Sequence, residues 1–155
     1  MQYVLASKSP RRQEMMKIIS SDFIVAVEDI NEEVSYKLSP IEAVQDIAKR
    51  KGEAVEKNYP NDLIISADTV VVLDNKIIGK PKDENDAKKI LKSLSNKSHY
   101  VHTGFRIKYL NKEIISHVTS EVIFKKLSDE LIEEYVKSGS PLDKAGAYGV
   151  QDNNQ

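Results

Sequence analysis

The sequence predicts an α/β fold, a mixed sheet with flanking helices, and three stretches predict it. Tyr3–Ile19, YVLASKSPRRQEMMKII, reads as a short apolar strand, a tight polar loop and a helix. Leu63–Leu73, LIISADTVVVL, is a pair of apolar runs joined through Asp68-Thr69. His99–Phe124 reads as a long hairpin, expected to be the central pair of the sheet.

In order along the chain, Tyr3–Ala6 is the first strand. Ser9 is a good N-cap and Pro10 suits the first helical position, where its missing N–H would have been unpaired anyway. Phe23–Val27 alternates as a second strand, and an acidic loop with Glu28, Asp29, Asn31, Glu32 and Glu33 follows. Ser39-Pro40 repeats the cap-plus-proline signal and opens a helix to about Lys57, with Ile41, Val44, Ile47, Ala48 and Val55 near one face. Gly52 is expected to interrupt that helix, at a cost of about 1 kcal/mol against alanine. Asp74-Asn75-Lys76 turns the chain after Leu73, Ile77-Ile78 returns, and Gly79-Lys80-Pro81 closes the hairpin. Asp83 caps a helix striped by Ala87, Ile90, Leu91 and Leu94, which Ser95–Ser98 breaks. In the long hairpin, Val101, Thr103, Phe105, Ile107 and Tyr109 share one side, and Asn111-Lys112 makes the turn. Ser128 caps a last helix with Asp129 and Glu130 in its first turn, where the helix dipole favours acids, and Gly139 stops it.

Composition narrows the function. The 155 residues fit one domain with a real core, and 40% apolar with 30% charged residues is ordinary for a soluble globular protein. A net charge of −1 argues against a general nucleic-acid binder. The absence of cysteine excludes disulfides and thiolate chemistry. No signal peptide is expected, because no basic stretch precedes a long apolar run at the N-terminus. No apolar run approaches the roughly 18 residues of a membrane span. The expected location is the cytoplasm.

Chemistry concentrates at four places. The start of the first helix offers free N–H groups and a positive dipole end. Ser7, Lys8, Ser9, Arg11 and Arg12 crowd it with hydroxyls and cations, a setting for phosphate or simply a capped surface helix. The acidic loop is either a solvated turn or a metal-binding loop facing phosphates. Lys49-Arg50-Lys51 is either a wetted helix face or the carrier of one lysine aimed at a ligand. Asp68 sits between two apolar runs, where a carboxylate needs a cation, a metal or a proton, and so reads as functional. His99, His102 and His117 have no second ligand at a metal spacing and read as strand polar residues, not a zinc site.

Three long motifs in order, LASKSPRRQEMM, ADTVVVLDNKIIGKP and PLDKAGAYGVQ, resemble the Maf-like nucleotide pyrophosphatases, the septum-formation-inhibitor family. The resemblance covers nearly the whole chain and implies a single Maf-like domain, 1–155, with a long twisted sheet and two lobes around a cleft, as in the inosine-triphosphatase enzymes. It implies hydrolysis of dTTP, UTP and modified pyrimidine nucleotides to the monophosphate and pyrophosphate. By position, Asp68 matches the family's general base, and Ser7, Arg12, Lys51 and Lys80 its phosphate-handling residues. Glu32 matches the acidic position implicated in binding Mg²⁺ or Mn²⁺, and Asp68 would either accept the proton or hold that ion. Arg11, Thr69 and Gln151 match the positions that separate subfamilies. The 7-methyl-GTP type has Trp in place of Arg11 and Gln in place of Thr69, so this sequence looks like the dTTP/UTP type. A homodimer is implied as well. Two departures stand out: Gly52 where alanine is more common, and an end soon after Gln151, where the family continues with a Gly-rich hairpin and a last helix. A non-catalytic nucleotide-binding protein linked to cell division is the alternative.

Overall fold

A computed structural model describes residues 1–34 and 37–138. They carry six strands and four helices in one mixed sheet ordered β2-β1-β3-β5-β6, with β4 on β3. The strands are β1 (Tyr3–Leu5), β2 (Ile24–Val25), β3 (Leu63–Leu73), β4 (Lys76–Ile78), β5 (Ser98–Tyr109) and β6 (Lys112–Ile123). The helices are α1 (Pro10–Ile19), α2 (Pro40–Glu56), α3 (Glu84–Leu94) and α4 (Asp129–Lys137). No described helix is long and apolar enough to cross a membrane. Contacts divide the chain into two compact units. Of the described residues, those within Met1–Asp68 and Thr103–Val118 form one unit, and Thr69–His102 with those that follow Val118 form the other.

In the first unit, β1 runs parallel to both β2 and β3, pairing Val4 with Ile24 and with Ile64. Val4, Ala6, Val55 and Ile64 form its small apolar core. The caps are those the sequence predicts. Ser9 Oγ accepts from Arg12 N, and Ser39 and Glu42 form a reciprocal capping box that satisfies two otherwise unpaired N–H groups. The second strand is shorter than Phe23–Val27, two residues continued by one bond from Ala26 N to Leu5 O.

Gly52 does not interrupt α2, which is continuous through it. A Cβ at Gly52 would lie 2.6 Å from Ser66 Oγ and 2.7 Å from Arg106 Nη1, so the bare Cα lets α2 settle onto β3 and β5. Ser66 completes the contact by donating to Ala48 O at 2.7 Å. Gly104 on β5 makes an equally close approach to α2, its missing Cβ falling 2.6 Å from the Val44 carbonyl carbon. This contact decides which face of β5 is buried. The odd-numbered side with Phe105, Ile107 and Tyr109 is half-buried, while Gly104 and Arg106 are buried. Arg106 tolerates that place because Nε donates to Glu113 at 2.7 Å and Nη2 to Glu56 at 2.8 Å. Burial works against its charge, but the two carboxylates outweigh it and hold the guanidinium above its usual pKa.

The second unit packs α3 and α4 through Ala87, Leu91, Leu94, Ile132, Tyr135 and Val136, with Val71 and Phe124. Asp83 Oδ1 accepts from Asp86 N and Ser128 Oγ from Leu131 N, as their positions predict. Asp74 and Asn75 both take positive φ, 51° and 65°, the left-handed pair that suits a two-residue hairpin.

The long hairpin is not the central pair of the sheet. β5 is an inner strand, but β6 is the last in the order and leaves Ile114, Val118 and Ile123 exposed. Its turn lies at Leu110-Asn111, one residue earlier than expected, with Leu110 at φ 54°. Gly139, expected to stop α4, and the tail with Gln151 lie outside the described residues.

His99 is buried and meets Phe124 edge-on, ring centroids 5.0 Å apart. Burial lowers its pKa from the ordinary 6.5. The unfolded chain therefore takes up this proton at a higher pH than the folded chain, so stability falls as pH drops through about 6.5. His99→Leu is expected to lose this part of the acid slope, measured as urea midpoints across the range from pH 7.5 to 5.5. An unchanged slope would assign the acid sensitivity to other groups.

Candidate active site

The site grows out of the turn between β1 and α1. Ser7 is buried, its Oγ accepting from Ser9 N at 3.1 Å and from Arg12 Nη1 at 3.5 Å. Because Pro10 starts α1, Arg12 falls in its first turn, and the same Nη1 also donates to Ala67 O at 3.3 Å. That bond carries Arg12 to β3 beside Asp68. Burial lowers the guanidinium's pKa, Asp68 opposes the shift, and the adjacent Arg11 charge adds to it. Arg12 remains a cation, the only form a guanidinium takes in proteins.

Asp68 meets α2 from the other direction. Lys51 Nζ donates to Asp68 Oδ1 at 3.2 Å and lies 3.4 Å from Glu32 Oε1. The carboxylate that the sequence places between two apolar runs thus has its cation. Its side chain is 15% exposed against 59% for Glu32, so Asp68 is the sheltered member and Glu32 the one at the rim. Of the lysine–arginine run on α2, Lys51 is the residue aimed inward. Ser7, Arg12, Lys51, Asp68 and Glu32 accordingly come together in the first unit.

The remaining expected residues fall elsewhere. Arg11 is half-buried beside Arg12 in α1. Thr69 follows Asp68 along β3, and Lys80 is exposed just after β4; both belong to the second unit. Gln151 lies outside the described residues. His102 pairs with Thr119 and His117 with Gln45, so the histidines stand apart from the cluster.

Sequence reasoning missed Arg50. It links α2 to the acidic loop, donating through Nη1 to Asn31 O and through Nη2 to Glu33 O at 2.8 Å. The only signal in the sequence was Asp46 four residues earlier, which predicts a helix-surface pair and no more.

Among the described residues no three His, Cys, Asp or Glu side chains group as a metal cage. Two carboxylates sharing one ammonium still fit Mg²⁺, which takes one or two carboxylates and fills its shell with phosphate oxygens and water.

A parallel β-α entry with serine and arginine at the helix start, facing a lysine–carboxylate cluster, defines an α/β protein with a site for a phosphorylated ligand. Residues 2–155 match the family described as Maf-like protein, and the chain belongs to that family. A protein of Symbiobacterium thermophilum named dTTP/UTP pyrophosphatase is 43% identical over 150 residues, covering 97% of this chain and 77% of the relative. Proteins of the same name from Dictyoglomus turgidum and Clostridium botulinum are 47% and 44% identical, covering 96% and 97% of this chain and 78% and 82% of theirs. The Ham1 protein of Staphylococcus aureus shares the fold, with a TM-score of 0.58 at 16% identity over 83% of this chain and 73% of its own.

Proposed function

We propose that this chain, as one Maf-like domain, is a nucleoside triphosphate pyrophosphatase that hydrolyses dTTP and UTP to the monophosphate and pyrophosphate. The relatives' shared name supports the activity and substrate class. The observation that carries the reading to particular residues is Asp68 on β3 flanked by Lys51 from α2 and by Arg12 from the first turn of α1.

In this reading the N-terminal N–H groups of α1, Ser7, Arg12, Lys51 and Lys80 bind the triphosphate tail and offset the charge that grows on the departing pyrophosphate. Asp68 takes a proton from the attacking water. Its sheltered place beside Lys51 and Arg12 orients it and leaves no uncompensated charge buried. Arg11, Thr69 and Gln151 discriminate the base. Asp68 and Glu32 would hold a Mg²⁺ or Mn²⁺ ion. When bound, such an ion neutralises phosphate charge and lowers the pKa of coordinated water. We further propose a cytoplasmic location and a homodimer, with the nucleotide as the sole substrate class.

The test is a panel of dTTP, UTP, CTP, ATP and GTP with Mg²⁺, following monophosphate and pyrophosphate together. Equimolar appearance of the two from dTTP and UTP is expected. Release of inorganic phosphate with a diphosphate product, or no pyrophosphate from either pyrimidine substrate, overturns the reading.

A further inference from the structure

Glu32 sits in a loop and is more than half exposed, yet its carboxylate stands 3.4 Å from Lys51 Nζ. Nothing in the loop's own backbone pattern explains that placement. Asn31 Oδ1 accepts from Glu33 N at 2.9 Å, which tightens the turn but does not attach it to anything. Asn58 Nδ2 attaches the loop's start, donating to Glu28 Oε1 at 3.1 Å, and Arg50 attaches the stretch around Glu32. Its guanidinium grips the carbonyls of Asn31 and Glu33, the residues on either side of Glu32. The third nitrogen, Nε, donates to Asp46 Oδ2 at 3.1 Å, one turn back on α2. The planar fork is thus fixed at its base by the helix and at its tip by the loop. Arg50 also precedes Lys51 in sequence, so one turn of α2 carries both the grip on the loop and the ammonium that Glu32 meets.

We infer that Arg50 is a positioning residue that holds Glu32 at the Lys51–Asp68 cluster. This rests on the pyrophosphatase reading for its catalytic consequence, but the strap itself is a property of the free protein. Arginine is needed for geometric reasons. Two carbonyl acceptors separated by one residue match the spread of a guanidinium's terminal nitrogens, whereas lysine offers a single point charge with no fixed fork. Without the strap, the exposed loop samples other conformations and Glu32 leaves the position where it could help bind a divalent ion. Partners that orient metal ligands typically contribute about 10- to 100-fold to metal affinity.

The experiment compares the whole chain with Arg50→Ala, Arg50→Lys, Glu32→Gln and the Arg50→Ala/Glu32→Gln double variant. Hydrogen exchange of residues 28–34, without nucleotide or metal, should be faster in both Arg50 variants than in the parent. Pyrophosphate release from dTTP titrated with Mg²⁺ should need about tenfold more Mg²⁺ for half-maximal rate, with kcat recovered at saturation. A general loss of structure would instead lower kcat at every Mg²⁺ concentration. Adding Arg50→Ala to Glu32→Gln should shift the Mg²⁺ requirement no further, because both changes act through one carboxylate. Unchanged exchange in the loop, a wild-type Arg50→Lys, or fully additive Mg²⁺ shifts each overturn the inference. If the parent chain releases no pyrophosphate, the enzymatic reading fails on its own, and loop exchange alone decides the strap.

Discussion

Replacing Asp68 by Asn is expected to reduce dTTP turnover by about 10²- to 10⁴-fold, the range that a positioned general base contributes, while nucleotide binding survives. The substitution keeps the side chain's shape and removes one negative charge. Lys51 then loses its partner at 3.2 Å, and Arg12 loses the carboxylate that offsets its burial. Both cations become more available to a polyanion, so dTTP should bind at least as tightly as to the parent. The decisive measurement pairs kcat from pyrophosphate release with a nucleotide dissociation constant on the same preparation. A fully active Asn variant would remove Asp68 from the mechanism. Lost binding together with lost turnover would instead make Asp68 a structural element of the pocket.

Gly104→Ala is expected to destabilise the protein by about 3 kcal/mol, the upper end of ordinary overpacking. The new methyl would meet backbone atoms of α2: the Val44 carbonyl carbon at 2.6 Å, and Gln45 N and Val44 O each at 2.7 Å. Backbone in the middle of a capped helix cannot swing aside as a side chain can. For a chain of this size the loss corresponds to a fall in Tm of roughly 10 °C. Gly52→Ala is the internal control. Its new methyl would meet only side-chain ends, Ser66 Oγ and Arg106 Nη1, and Nη1 has no hydrogen-bond partner among the described residues. Ser66 Oγ, bonded to Ala48 O, and that guanidinium must both move, so even with the gain of about 1 kcal/mol in helix propensity Gly52→Ala should destabilise, but by less than Gly104→Ala. Equal losses at the two glycines would show that the distance between α2 and β5 is not what Gly104 protects.

The structure kept the sequence's capping expectations, corrected the local readings at Gly52 and at the Leu110-Asn111 turn, and altered the long-range ones. Ser9, Ser39, Asp83 and Ser128 are N-caps as read, because a cap depends on residues three or four apart. Asp68 was legible as unusual because a carboxylate between two apolar runs conflicts with their burial. The hairpin's place in the sheet was not legible, since alternation specifies a strand but not its neighbours. Nor was the buried side of β5. Phe105, Ile107 and Tyr109 look like the core face, yet Gly104 and Arg106 are inside because α2 lies against that side and Glu56 and Glu113 neutralise the arginine. Arg50 looked like surface charge for the same reason, as its acceptors lie 17 and 19 residues away.

By itself, then, the sequence determined the family through its ordered motifs, the positions of helices and turns through short-range chemistry, and the residue types available to grip phosphate. Only the tertiary structure decided which of those charges meet. It brought Lys51 to Asp68 and Glu32, joined Arg12 to the carbonyl beside Asp68, and gave Arg50 the loop to hold. The physical reason is range. Capping and turn energies depend on neighbours along the chain, whereas the partner of a charge is chosen by how helices and strands pack, and here that packing turns on two glycines that let α2 approach the sheet.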